Sequence, residues 1–174
     1  MASPYARTDA WPDWQRPYRL GVVLVLPPNP VRAEIDLLRA RYDSRSHAAA
    51  PAHISLTVPL QREPDERRWG ELARVAQGFA PFPIRYGPLV PFLPKPGAAL
   101  ESCEVFAGAG PRAFPFWAHI TIAEFVSVET TQELVREIGG DRAPSGIFVC
   151  DRLSYLVPDD GFRFTERRVL PCRH

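Results

Sequence analysis

Two segments of the chain, Ala52-His53-Ile54-Ser55-Leu56-Thr57-Val58 and Ala118-His119-Ile120-Thr121-Ile122-Ala123-Glu124, carry the same order of residue types: small residue, histidine, apolar residue, hydroxyl, apolar residue. In a β-strand, side chains at i and i+2 project from the same face. His53 then shares a face with Ser55 and Thr57, while Ile54, Leu56 and Val58 fill the other. His119 shares a face with Thr121, and Ile120 and Ile122 are buried behind them. Each strand offers one imidazole, which gains or loses a proton near neutral pH, and one hydroxyl, which can donate to an anionic oxygen. Two such strands facing one another make a site for acid–base chemistry on a phosphate ester.

Either segment alone is equally well explained by a half-buried strand histidine with satisfied hydrogen bonds. The repetition of the whole pattern is what that explanation leaves unaccounted for. A shared metal site would need a third His, Cys or carboxylate ligand. No such residue stands at suggestive spacing, so no metal and no cofactor is expected.

The chain has 174 residues, 21 basic and 20 acidic, with a formal net charge of +1. That length supports one domain with a sizeable core. The near-neutral balance argues against broad electrostatic binding of long nucleic acid but leaves room for a local basic cleft. No apolar run approaches the roughly 20 residues that span a bilayer, and residues 1–19 lack the apolar stretch of a signal peptide. Cys103, Cys150 and Cys172 are odd in number and without metal-like spacing, which points to a reduced, cytoplasmic setting. Of twenty prolines, eleven fall in three stretches, 27–30, 81–96 and 111–115, which read as turns and edges, where a missing N–H and a fixed φ are tolerated.

The elements that must position the two histidines follow from periodicity. Residues 1–17 read as an N-terminal arm pinned by Trp11, Trp14 and Tyr18, and residues 18–174 as a single bilobal domain. Strands are expected at 19–26, 53–60, 83–92, 99–107, 116–125, 147–157 and 162–170. Helices are expected at 31–42, with Asn29 as its cap and Pro30 in its first turn, at 65–79, and at 130–138, stopped by Gly139-Gly140. Residues 43–51 read as a loop, and Pro158-Asp159-Asp160-Gly161 as a turn. Short strand connections with interspersed helices give an α+β class with antiparallel or mixed sheets.

The paired His-x-Ser/Thr motifs, His53-Ile54-Ser55 and His119-Ile120-Thr121, resemble the signature of the 2H phosphoesterase superfamily. That superfamily includes the RNA 2′,3′-cyclic phosphodiesterases and 2′-5′ RNA ligase-like proteins. The resemblance extends over most of residues 18–171, and it implies two antiparallel β-sheets flanking a central cleft, with helices on the outer faces. It implies a metal-independent phosphoesterase acting on a 2′,3′-cyclic phosphate at an RNA or nucleotide end. His53 and His119 would be the acid–base pair, in an order the sequence leaves open, and Ser55 and Thr121 would hold the phosphate. The same groups run in reverse would join RNA ends without ATP, and a binding module with little turnover is the alternative outside catalysis. The chain departs from the pattern between the strand at 99–107 and the second motif, where the family's helix is reduced to residues 108–115. That could open the cleft, or leave an apolar face for another subunit to cover.

Around the motifs, Phe114, Phe116, Trp117, Phe125 and Tyr155 are candidates for base stacking, each also explained by core packing. Arg85, Arg152 and Arg163 are candidates for phosphate contacts, each also explained by a solvated surface. Glu124 is expected to end its strand or pair with an arginine.

Overall fold

The computed structural model describes residues 3–92, 97–102 and 118–173. Their strands are β1 (Val22–Val25), β2 (Ile54–Ser55), β3 (Phe82–Pro91), β4 (Ala98–Ser102), β5 (His119–Ala123), β6 (Gly146–Cys150), β7 (Arg152–Pro158) and β8 (Phe164–Pro171). The helices are α1 (Asn29–Tyr42), α2 (Ser44–Ala49), α3 (Glu66–Gln77) and α4 (Val128–Ile138), with 3-10 turns at Arg16–Leu20 and Gly140–Arg142. The mixed class and the antiparallel pairing agree with the sequence. The chain forms two compact units, one of residues 1–25, 55–81 and 151–174, the other of residues 26–54 and 82–150.

In the first unit, β7 pairs antiparallel with β1 and with β8. Val23, Tyr155, Val157 and Leu170 meet Trp69 and Ala76 of α3 in its core. Asp65 caps α3 by accepting from the Arg68 N–H. Gly21 leads into β1 at φ 79°, where an added Cβ would fall 2.3 Å from the Leu156 carbonyl oxygen, so only glycine fits. At the N-terminus the Trp11 indole N–H donates to Asp160 O at 2.8 Å, and Trp11, Trp14 and Tyr18 set ring edges against Phe162.

In the second unit, β3 pairs antiparallel with β6 and β4, β4 with β5, and β5 with Ile54 of β2. Its core holds Ile35, Ile54, Ile84, Leu100, Ile120, Ile122 and Leu134, none more than 1% exposed. Gly97, at φ 118°, turns the chain into β4, and a Cβ there would sit 2.5 Å from the Ala123 carbonyl oxygen.

Several expectations need correction. Arg19 and Leu20 belong to a 3-10 turn and not to β1, because Pro17 seats the turn and Gly21 breaks it. Helix α1 begins at Asn29 itself, with no side-chain cap. The expected loop at 43–51 contains α2, which Asp43 caps through the Ser46 N–H. The first histidine strand is only two residues long. Beyond it, Thr57 Oγ1 accepts from the Val23 N–H and Val58 is 76% exposed, so the apolar alternation stops at Leu56. The expected single strand at 147–157 is two, β6 and β7, divided at Asp151 and belonging to different units. The part of the 99–107 strand beyond Ser102, and the shortened segment 108–115, lie outside the described residues.

Candidate functional site

The second unit holds both histidines. Ile54 pairs with Ile120 in antiparallel register, and that register continued by one residue sets His53 opposite Thr121. Residues so placed project from the same face, with Cβ atoms about 5 Å apart, and diagonal neighbours lie about 7 Å apart. His119 is the diagonal neighbour of His53. Burial follows the alternation: Ile54, Ile120 and Ile122 are fully buried, while His53, His119 and Thr121 are half-buried. His53, His119 and Thr121 therefore share one face. Ser55 closes β2 as an exposed residue and falls in the first unit.

His53 Nδ1 lies 2.7 Å from the Pro51 carbonyl oxygen. Burial pushes its pKa down to about 4; the Pro51 hydrogen bond opposes this, while the nearby charges of Arg39 and His119 add to it. The His119 ring meets the Phe92 ring in an edge contact, centroids 5.5 Å apart.

Three polar side chains of α1 and of the α1–α2 junction hold these segments. Arg39, 1% exposed, donates from Nη1 to Thr121 O at 2.7 Å and from Nη2 to Ala50 O and Ser46 O at 2.8 Å each. Burial lowers the Arg39 pKa, against the pull of Asp36, Asp43 and Glu124. Asp36 Oδ1 accepts from the Ala52 N–H at 2.8 Å and lies 3.3 Å from Arg39 Nε. Asp43, 4% exposed, accepts from the N–H groups of Ser46, Glu124 and Phe125 and from the Ser46 hydroxyl. Burial raises its pKa, but these hydrogen bonds outweigh it and hold the carboxyl below its ordinary value.

Sequence reasoning passed over Arg39, Asp36, Asp43 and Phe92. For Arg39 a signal existed: it follows Ile35 by four residues and precedes Tyr42 by three, and so sits in the apolar stripe of α1. Asp43 also had one, since Asp-x-x-Ser before an Ala-rich run is a cap pattern. Phe92 was hidden among prolines.

The aromatic candidates divide. Phe125 is 47% exposed just beyond β5, with the Arg45 guanidinium 4.6 Å from its ring centroid. Tyr155 is 3% exposed and is corrected to a core residue of the first unit, its hydroxyl donating to Leu20 O at 2.6 Å and its ring against Trp69. Phe114, Phe116 and Trp117 lie outside the described residues. Of the basic candidates, Arg152 pairs with the neighbouring Asp151, and Arg85 is exposed on β3. Among the described residues no helix is long and apolar enough to cross a membrane.

Comparisons with known proteins bear on the fold and on the family. No curated protein matches the chain in sequence. Among solved structures, a crystal structure of E. coli LigT in apo form superposes with a TM-score of 0.51 at 14% identity, covering 88% of this chain and 96% of that one. At that identity the likeness is one of fold. The family model of the 2′-5′ RNA ligase superfamily matches residues 27–162, a span that includes both histidine motifs. The chain therefore belongs to the 2′-5′ RNA ligase superfamily, the 2H phosphoesterase family.

Proposed function

We propose that the protein is a metal-independent phosphoesterase that opens a 2′,3′-cyclic phosphate at an RNA or nucleotide end, with His53 as general base and His119 as general acid. The observation that carries this reading is the placement of His53 opposite Thr121 and diagonal to His119 on one sheet face. Hydrolysis is an in-line displacement. His53 Nε2 takes a proton from water as the water oxygen bonds to phosphorus. The bond from phosphorus to one sugar oxygen breaks, and His119 gives that oxygen a proton. The product is a 2′- or 3′-phosphomonoester, and proton exchange with solvent resets the pair. Ser55 and Thr121, the motif hydroxyls, are assigned to the non-bridging oxygens, whose charge grows in the transition state. Phe125 is assigned to stacking of the terminal base.

Assigning the base to His53 rests on its neutrality: desolvation and the charge of Arg39 disfavour the protonated ring, and with Nδ1–H held by the Pro51 carbonyl, Nε2 starts without a proton. An anionic phosphate bound nearby offsets the guanidinium and brings the His53 pKa back toward neutral in the complex. The cytoplasmic setting read from the cysteines belongs to the same proposal.

His53→Ala and His119→Ala, assayed separately on a 2′,3′-cyclic nucleotide with chelator present, test it. Each is expected to lose about 100- to 10,000-fold in turnover while remaining folded. Near wild-type turnover in either variant, or abolition of wild-type activity by the chelator, sinks the mechanism. The family's name favours a second reading, ATP-independent joining of a cyclic phosphate to a 5′-hydroxyl. It is supported if 2′-5′-linked product accumulates from two RNA ends. Tight nucleotide binding with no product over hours would instead mark a binding module.

A further inference from the structure

Arg39 is the one arginine among the fully buried side chains of the described residues. A buried cation needs both an ion pair and hydrogen bonds. Arg39 has them, and their placement is specific. The Ala50 carbonyl, which accepts from Nη2, and the Ala52 N–H, which is held by Asp36, lie in the run immediately before His53. The Thr121 carbonyl, which accepts from Nη1, lies inside the second motif.

We propose that the Arg39–Asp36 pair is a positioning clamp that sets the His53 segment against the His119 segment for the reaction proposed above. The clamp's catalytic role rests on that reading. The backbone alone leaves this alignment underdetermined. Strand β2 has two residues, and its pairing with β5 is Ile54 against Ile120. A single backbone pair supplies few ladder hydrogen bonds to hold that alignment rigidly. A planar guanidinium reaching three carbonyls fixes distances that a flexible ammonium or an apolar side chain cannot. Stability alone is a poor reason for such a group, because replacing a buried ion pair with apolar residues of similar volume is often neutral or stabilising. Asp43 adds an independent hold on the far end of β5 through the Glu124 and Phe125 N–H groups. The charge reaches the site as well as the geometry, since Arg39 acts on His53 electrostatically.

The test is amide hydrogen exchange together with steady-state kinetics on the full-length protein. In Arg39→Met, exchange at Ala52 to Ile54 and at Ile120 to Ile122 should rise together. On a 2′,3′-cyclic nucleotide kcat should fall about 100-fold with little change in KM, as misplacement of a catalytic group by about 1 Å predicts. Exchange that rises in one segment only, or a kcat loss that matches the unfolded fraction, overturns the clamp. Arg39→Lys keeps the charge but loses the fork, and should recover less than tenfold of the lost kcat; full recovery overturns the clamp too. Should Arg39→Met fail to fold, Asp36→Ala decides. It should loosen Ala52 and His53 while the exchange of β7 is unchanged, and protection at Ala52 equal to wild type refutes the clamp. A wild-type protein inactive on the cyclic nucleotide counts against the reaction alone, and the exchange measurement still decides the clamp.

Discussion

The Nδ1 atom of His53 lies 2.7 Å from the carbonyl oxygen of Pro51, two residues earlier in the chain. A carbonyl can only accept, so Nδ1 carries the proton in this contact. In a neutral imidazole that leaves the lone pair on Nε2. Burial holds the ring neutral, with a pKa of about 4. One local hydrogen bond thus fixes the tautomer, and burial fixes the charge state, of the proposed base.

The pH profile should carry this signature. The acid limb of kcat/KM reports the free enzyme, and that of kcat reports the complex. If His53 is the base, kcat/KM rises with pH through about 4, well below the ordinary 6.5. The kcat limb should lie at higher pH, because a bound phosphate anion favours the protonated imidazole. Coincident acid limbs near 6.5 would assign the base elsewhere.

The same shift predicts a dependence of stability on pH. His53 binds fewer protons in the folded than in the unfolded chain between about 4 and 6.5. Its contribution is therefore whole above 6.5 and is lost as pH falls through that window. The loss by pH 4 is up to about 3 kcal/mol. In urea unfolding, the difference between wild type and His53→Gln should narrow by that amount from pH 7 to pH 4. A constant difference would show that His53 titrates normally.

How much of this was legible in the sequence depended on whether the signal was periodic or three-dimensional. The alternation His119-Ile120-Thr121-Ile122 survives intact as half-buried and buried positions, because β5 lies between β2 and β4 and its faces are set by the pleat. The first motif was half legible. Ile54 is buried as expected, but β2 ends at Ser55 because the Thr57 hydroxyl is taken by the Val23 N–H. For the supporting polar side chains the positions of Arg39 and Asp43 carried a signal but their partners did not, since Arg39 meets Thr121 across 82 residues of sequence and nothing in the helical pattern of α1 names a partner. Tyr155 misled for the opposite reason. An aromatic on a strand reads alike whether its ring faces a ligand or, as here, Trp69.

Phe125 offers a prediction on substrate affinity. Its ring is 47% exposed and Arg45 covers one face. Stacking a base on such a ring is worth about 1–3 kcal/mol. Phe125→Ala should raise KM for a 2′,3′-cyclic-phosphate-ended oligonucleotide about 5- to 100-fold, leave kcat near wild type, and change stability by less than about 0.5 kcal/mol. A fall in kcat at constant KM would place Phe125 outside base recognition.

Asp43 joins the cap of α2 to the exit of β5, and its removal should affect both stability and turnover. Its carboxylate accepts from the Ser46 N–H and hydroxyl and from the N–H groups of Glu124 and Phe125. Asp43→Ala loses a helix cap, worth about 1 kcal/mol. It also leaves buried donors without acceptors, at about 1–3 kcal/mol more. Urea unfolding at pH 7 should therefore show a loss of about 2–4 kcal/mol. Asp43→Asn keeps one acceptor oxygen and should lose less. Because the hydrogen bonds hold the Asp43 carboxyl below its ordinary 3.8, the wild-type advantage over Asp43→Asn is present above that pH. It disappears only as pH falls through the depressed value. Turnover should drop in the alanine variant even where it is fully folded, since Glu124 and Phe125 anchor the end of the strand that carries His119 and Thr121. A variant destabilised as expected but with wild-type kcat would confine Asp43 to the fold.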